Sequence, residues 1–93
     1  MEEKAKEVAE LLKVLANENR LMILCTLMEQ PRTVSEISAV VNSITQSALS
    51  QHLSLLKSCG ILSSQRNGMN IIYSIKDHRV EKLIEVLKES YCS

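Results

Sequence analysis

A chain of 93 residues is sized for one small domain, 1–93, and its zero net charge excludes a uniformly basic nucleic-acid binder. The chain has no Phe or Trp, so its core must be aliphatic. Its longest apolar run, "LMILC", is far too short to span a bilayer, so no membrane contact is expected. The charged start "MEEKAKEVAE" is unlike a secretory signal, and we expect a cytoplasmic protein.

The charges are unevenly distributed along the chain. Residues 1–31 have a balance of −2, residues 32–79 a balance of +3, and residues 80–93 a balance of −1. A mildly basic middle between acidic ends suits an anionic partner for the middle and protein contacts for the ends.

Hydrophobic periodicity predicts four helices before residue 60. The first covers roughly 3–16, and Asn17 caps the second, which ends at "QPR". Thr33 and Glu36 have the spacing of a capping box that opens a short third helix, which ends at Val41. Thr45 caps the fourth helix, "QSALSQHLSLLKSC", which ends at Gly60 in a left-handed conformation.

The pattern changes from helical to strand-like after residue 60. The runs "ILSSQR" and "MNIIYSI" flank Asn67-Gly68, which is a strong signal for a β-hairpin turn. "KDHR" then opens a last helix with an apolar stripe from Val80 to Tyr91. The predicted fold is mainly α with a small β-hairpin: a winged helix-turn-helix of four helices, two strands and a fifth helix. The apolar faces of the first and last helices predict a homodimer formed through them.

The fourth helix is the predicted recognition helix. Outside its apolar stripe it has amide, hydroxyl and imidazole groups that can reach base edges in a major groove: Gln46, Ser47, Ser50, Gln51 and His52. Lys57 and Arg66 are predicted phosphate or groove-edge contacts, with Asn67 beside Arg66 at the hairpin tip. A polar, solvated helix face and two solvated cations are the alternative interpretation. Neither a phosphate loop nor an acid/base or nucleophile–base pair is present, so we expect no enzyme and no cofactor.

Three cysteines leave several interpretations open. Cys25 lies on the apolar side of the second helix, where a thiol often serves as a small hydrophobe. Cys59 precedes Gly60 and has no specific role suggested by its position. Cys92 is next to the last residue, where packing does not require a thiol; it could belong to a loose tail, a metal site or a redox pair.

Three segments resemble the signature blocks of the ArsR/SmtB family of winged-helix repressors: "LLKVLANENRLMILCTL", "SALSQHLSLLKSCGIL" and "RNGMNIIYSI". The resemblance covers nearly the whole chain, although "NSIT" is one residue longer than the usual turn. It implies a homodimer on a roughly palindromic double-stranded DNA operator, released by an inducer.

Family metal sites are not expected here. The positions of one family Cys-x-Cys site resemble Thr33 and Ser35, which cannot supply thiolates. Another site uses Asp and His ligands about three turns apart, whereas Asp77 and His78 are adjacent and no later His follows. The sequence therefore predicts no zinc site.

"LMILCTL" and "LKESYC" together resemble the thiol-sensing HlyU, BigR, YgaV and SqrR group of this family. That resemblance, and not spacing, implies a Cys25–Cys92 pair that persulfide or oxidant modifies, with loss of operator binding. The alternatives are a regulator without a thiol response, a sensor of a soft metal, and an anti-silencing or co-regulatory module that acts through protein contacts.

Overall fold

The computed structural model describes residues 1–91, so Cys92 and Ser93 lie outside the described residues. Residues 1–91 form five helices and three strands. They are α1 (Glu2–Leu15), α2 (Glu18–Glu29), β1 (Arg32–Thr33), α3 (Val34–Val40), α4 (Gln46–Ser58), β2 (Leu62–Asn67), β3 (Asn70–Ile75) and α5 (His78–Tyr91). This is the predicted winged helix-turn-helix, with α3 and α4 as the helix pair and β2–β3 as the wing.

The three predicted N-caps are confirmed. The Asn17 side chain accepts from the backbone N–H of Arg20 at 3.1 Å, which opens α2. Thr33 and Glu36 form the reciprocal capping box of α3, with bonds of 3.2 and 2.9 Å. Each cap satisfies a backbone N–H that the first turn of a helix cannot bond internally.

Helix α4 begins and ends with local bonds that its sequence specifies. Thr45 Oγ1 accepts from the N–H of Ala48 at 3.1 Å. At the other end, Gly60 has a φ of 78°, and the N–H groups of Gly60 and Ile61 donate to the carbonyls of Lys57 and Leu56. These two bonds form a Schellman motif, for which the left-handed conformation of glycine is well suited.

The core is aliphatic, as the absence of Phe and Trp predicts. Helix α2 is the central element, and it packs against α1, α3, α5 and strand β3. Thirteen buried hydrophobic side chains make up one cluster, to which α4 contributes Leu49, Leu53 and Leu56. Because those three leucines are buried in the core, the opposite side of α4 faces solvent and is free for polar side chains.

A short strand makes the sheet three-stranded, in the order β1-β3-β2. The sequence predicted the β2–β3 hairpin but not β1, whose two residues pair with Tyr73 and Ile72 across the molecule. Two residues are too few to show a strand pattern, and the pairing exists only once the wing has folded back onto the end of α2.

The wing turn is one residue further along than predicted. Asn67 pairs with Asn70, so the two turn residues are Gly68 and Met69 and not Asn67 and Gly68. Gly68 has a φ of 66°. Among the described residues only Gly60 and Gly68 have a positive φ, so the φ of Met69 is negative. Positive φ at the first turn position alone is the pattern of a type II′ turn, which requires glycine there.

Candidate nucleic-acid interface and cysteine groove

Helix α4 presents a row of polar side chains to solvent. Gln46, Ser47, Ser50 and Gln51 are all exposed, and Leu49 and Leu53 on the other side are 1% exposed. No Asp or Glu lies on α4, so no carboxylate of that helix would repel a phosphate backbone. The structure thus brings together four of the five side chains from which the sequence predicted base contacts, on a helix fixed at both ends.

His52 points away from that row and is half-buried. Its Nδ1 lies 3.3 Å from Nη1 of Arg20, and Arg20 Nε donates to the carbonyl of Val14 at the end of α1. Burial, and then the neighbouring Arg20 charge, lower the pKa of His52 below its ordinary 6.5. His52 therefore joins α4 to α2 through Arg20.

Sequence reasoning did not identify Arg20, although a signal was present. Arg20 precedes the buried residues Ile23, Leu24 and Leu27 by three, four and seven positions. This spacing puts a cation beside the apolar stripe of α2, where a charge needs polar partners.

Two unpaired positive charges of residues 32–79 lie on the wing and at the end of α4, and among the described residues a third, Lys76, follows β3. Arg32 pairs with Glu29, and Arg79 pairs with Asp77 at 3.0 Å. Within residues 1–91, Lys57 and Arg66 are exposed and form no ion pair. Both remain available to phosphates.

Cys25 is half-buried on α2 and lines an open groove of about 800 Å³. The groove also takes in Arg32 from β1, Val40 from α3 and Lys88 from α5. Cys59 is exposed and lines a different groove, against α1 and the start of α5. The predicted partner of Cys25, Cys92, is outside the described residues and follows Lys88 by four positions in the sequence.

A charged cluster connects the groove to the DNA-binding unit. Glu29 lies one helical turn after Cys25, and its Oε2 is 3.8 Å from Nζ of Lys88 on α5. Its other oxygen pairs with Nη2 of Arg32, while Arg32 Nε donates to the carbonyl of Thr26 at 3.2 Å. Helices α2 and α5 and strand β1 thus meet at one carboxylate.

The positions considered for metals have other partners. Thr33 caps α3, Asp77 accepts from the N–H of Arg79 at 2.9 Å, and the exposed His78 lies 3.5 Å from Glu81. Hydrogen bonding to Arg79 lowers the pKa of Asp77 below its ordinary value. Residues 1–91 contain no group of three His, Cys, Asp or Glu side chains placed to hold a metal ion. Among the helices of the same range, none has the length and hydropathy needed to cross a membrane.

Comparison with known proteins gives one consistent relationship. The model of the bacterial regulatory protein, arsR family, matches residues 17–64, which include α2, α3 and α4. The transcriptional activator HlyU of Vibrio cholerae is 37% identical over 92 residues, which is 99% of this chain and 84% of HlyU. The biofilm growth-associated repressor of Agrobacterium fabrum is 40% identical over 93 residues, or 100% of this chain and 79% of that protein.

Solved structures agree with the sequence comparison. Reduced HlyU from Vibrio cholerae superposes with a TM-score of 0.94 at 36% identity, covering 100% of this chain and 97% of that one. A homodimeric winged helix-turn-helix DNA-binding domain from Mycobacterium bovis, Mb0332, superposes with a TM-score of 0.79 at 30% identity, covering 92% of this chain and 79% of that one. The chain belongs to the ArsR family of bacterial regulatory proteins.

Proposed function

We propose that this protein is a homodimeric DNA-binding repressor whose operator affinity falls when persulfide or an oxidant modifies Cys25 and Cys92. The observation that carries the DNA-binding half is the exposed polar row of α4, which has buried leucines behind it and Arg66 on the adjacent wing. The proposal of repression follows the Agrobacterium fabrum relative, which is named a repressor. HlyU is named an activator, so the same DNA contacts would also serve activation of transcription.

The dimer would form through α1 and α5. Both helices leave large apolar side chains exposed, among them Val8 (53%), Leu12 (48%), Val86 (58%) and Tyr91 (82%). A surface of this kind marks an interaction site, and the homodimeric Mb0332 domain supports a second copy as its partner. Two recognition helices related by a two-fold axis would read half-sites about 34 Å apart.

The groove beside Cys25 supports the sensing half. It is open to small molecules, and it brings the Cys25 side chain together with the charged groups of Glu29, Arg32 and Lys88. In the proposed reaction, the Cys25 thiolate attacks the outer sulfur of an organic persulfide, the S–S bond breaks, and a thiolate leaves. Cys92 then attacks Sγ of the Cys25 persulfide and expels hydrosulfide, which leaves a disulfide. The two thiols are oxidised, and the sulfane sulfur is reduced to sulfide.

The bridge would act by changing the geometry of the dimer. A hundredfold loss of operator affinity requires a difference of about 2.7 kcal/mol between the bridged and reduced forms. The cluster around Glu29 offers a route, because a shift of α5 on α2 would disturb the partners of Arg32 next to α3.

The test is operator binding by reduced full-length protein, before and after treatment with glutathione persulfide. The operator is first selected by the wild-type protein from a random duplex pool. We expect Cys25→Ser and Cys92→Ser to bind as wild type when reduced and to resist release, and Cys59→Ser to be released like wild type. Release of the Cys25→Ser/Cys92→Ser double variant would refute the sensing proposal. Salt-independent or absent DNA binding would refute the DNA-binding proposal.

A further inference from the structure

The wing tip, residues 65–70, has an unusual residue in its turn. Met69 occupies the second position of the two-residue turn and is 101% exposed. Turns ordinarily take residues such as glycine, asparagine and serine, which adopt turn conformations readily or hydrogen-bond their own backbone. A wholly solvated methionine at that site has no explanation in the fold of the monomer.

The proposed dimer does not explain it either. The exposed apolar residues of α1 and α5 would be covered by a second copy, but Met69 belongs to the wing, which forms no part of that surface. Strands β2 and β3 have no carboxylate, so the wing has a net positive charge from Arg66. That charge suits a polyanion such as the DNA backbone as the partner of the tip.

The neighbours of Met69 form a recognisable chemical set. Gln65, Arg66, Asn67 and Asn70 are all exposed around the turn. Proteins that bind the minor groove of DNA use guanidinium and amide groups to contact its floor and walls, and they insert an apolar side chain such as Met between base pairs. The wing tip contains both parts within six residues.

The shape of the tip is also suitable. A two-residue turn is as narrow as a hairpin end can be, so its side chains project from a slim end of the molecule. The minor groove of B-form DNA is about 6 Å wide. Among the described residues, no heavy atom beyond its chain neighbours lies within 4 Å of a Cβ added at Gly68, so this side of the turn is open.

We propose that Met69 is a specificity-determining wedge that the wing inserts into the DNA minor groove, partly unstacking one base step beside each half-site. The inference rests on the proposed DNA-binding function. Pyrimidine–purine steps such as TA unstack most readily, so the wedge would select them at a position that α4 does not touch. Arg66 and Asn67 would hold the tip in the groove through phosphate and base-edge contacts.

The experiment uses the full-length reduced protein and the duplex that it selects from a random pool. The affinities of wild type, Met69→Ala and Met69→Leu are measured by fluorescence anisotropy. Unstacking is measured separately, by the fluorescence of 2-aminopurine placed at successive flanking positions of the duplex. Wild type and Met69→Leu should raise 2-aminopurine fluorescence at one flanking step, because unstacking relieves quenching. Met69→Ala should abolish that rise and weaken binding about tenfold. Replacing the flanking A·T pairs by inosine·cytosine, which leaves the minor groove unchanged, should preserve wild-type affinity.

Three outcomes would overturn the proposal while leaving DNA binding intact. They are equal affinities of Met69→Ala and wild type, a fluorescence rise that persists in Met69→Ala, and a loss of affinity on inosine·cytosine substitution. A change in the sedimentation of DNA-free Met69→Ala would instead assign the residue to a contact between copies and also overturn the wedge. Failure of wild-type protein to select any duplex would refute the proposed function itself. Because Met69 is wholly exposed, its variants should unfold at the wild-type temperature.

Discussion

A single guanidinium joins three helices of this protein. Arg20 donates to the carbonyl of Val14 at the end of α1 and contacts His52 Nδ1 on α4, while its own backbone N–H is capped by Asn17. An arginine can only donate, so His52 must accept at Nδ1 and carry its proton on Nε2. Protonated His52 would present a donor to a donor and would lose this bond. One of the contacts between α4 and α2 therefore depends on the charge state of a histidine.

This dependence predicts a pH effect on stability. The pKa of His52 is lowered in the folded protein, so the unfolded chain binds its proton more readily. The neutral ring contributes fully to the free energy of unfolding above the pKa of His52 in the unfolded chain, about 6.5. That contribution decreases as pH falls below this value towards the lower pKa of His52 in the folded protein. Glu36 and Asp77, whose pKa values are lowered from 4.5 and 3.8, lose their contributions in a more acidic range.

The measurement compares urea unfolding at about pH 7.5 and about pH 5.5. Both proteins carry His78→Gln, so His52 is the remaining histidine of the chain, and one of them also carries His52→Gln. Glutamine can accept from Arg20 but cannot titrate. We expect the midpoint of the protein that retains His52 to fall more on acidification. Equal decreases would show that the Arg20–His52 contact does not discriminate against the imidazolium.

At the scale of elements, the sequence predicted what is decided locally. The caps at Asn17, Thr33 and Thr45 were all foreseen because a cap depends on a side chain and a backbone N–H within three residues. Strand β1 was missed because its partner in the sheet is about forty residues away, at Tyr73. The wing turn was predicted one residue early because turn preference and strand register act together, and register depends on cross-strand packing.

In the candidate site, too, local features were predicted from the sequence and long-range contacts were not. Exposure of Gln46, Ser47, Ser50 and Gln51 followed from helical periodicity, since the leucines of α4 could be assigned to the core. The contact of His52 with Arg20 did not follow, because the two residues are 32 positions apart and meet through the packing of α2 on α4. Base-reading roles remain predictions for all five residues. The contact of His52 with Arg20 distinguishes it from the other four, which are exposed.

The cap at Thr45 gives the prediction that belongs to this scale. Thr45→Ala removes the acceptor for the Ala48 N–H and should cost about 1 kcal/mol of unfolding free energy. Fraying of the first turn would also disorder Gln46 and Ser47, so operator affinity should fall. Thr45→Ser retains the hydroxyl and is the matched control. Urea unfolding, monitored by circular dichroism, should show wild type and Thr45→Ser to be similarly stable and both more stable than Thr45→Ala. Equal stabilities of all three would mean that the cap contributes nothing.

For the whole molecule, the arrangement of charges explains how a small chain can connect two tasks. Glu29 is one turn from Cys25 and holds both Lys88 of α5 and Arg32 of β1. The next residue, Thr33, caps α3 and pairs with the wing strand at Ile72. The cysteine groove and the helix-turn-helix are therefore separated by a few side-chain contacts, and no long-range pathway is needed for one to influence the other.

The proposed dimer supplies the last prediction. In a symmetric dimer every substitution occurs twice at the same interface, so its cost doubles. Val8→Glu or Val86→Glu would remove apolar burial worth about 2 kcal/mol per copy, which makes about 4 kcal/mol for the dimer and weakens association nearly a thousandfold. Analytical ultracentrifugation at micromolar concentration should then find monomers, and operator affinity should collapse because one recognition helix reads only half of a palindrome. Val40→Glu is the control, since Val40 is exposed to a similar extent (45%) but belongs to α3, which is not a helix of the proposed interface. If Val40→Glu dissociated the dimer and Val8→Glu did not, the two-fold axis would have to lie beside the helix-turn-helix, and the α1–α5 interface would be wrong.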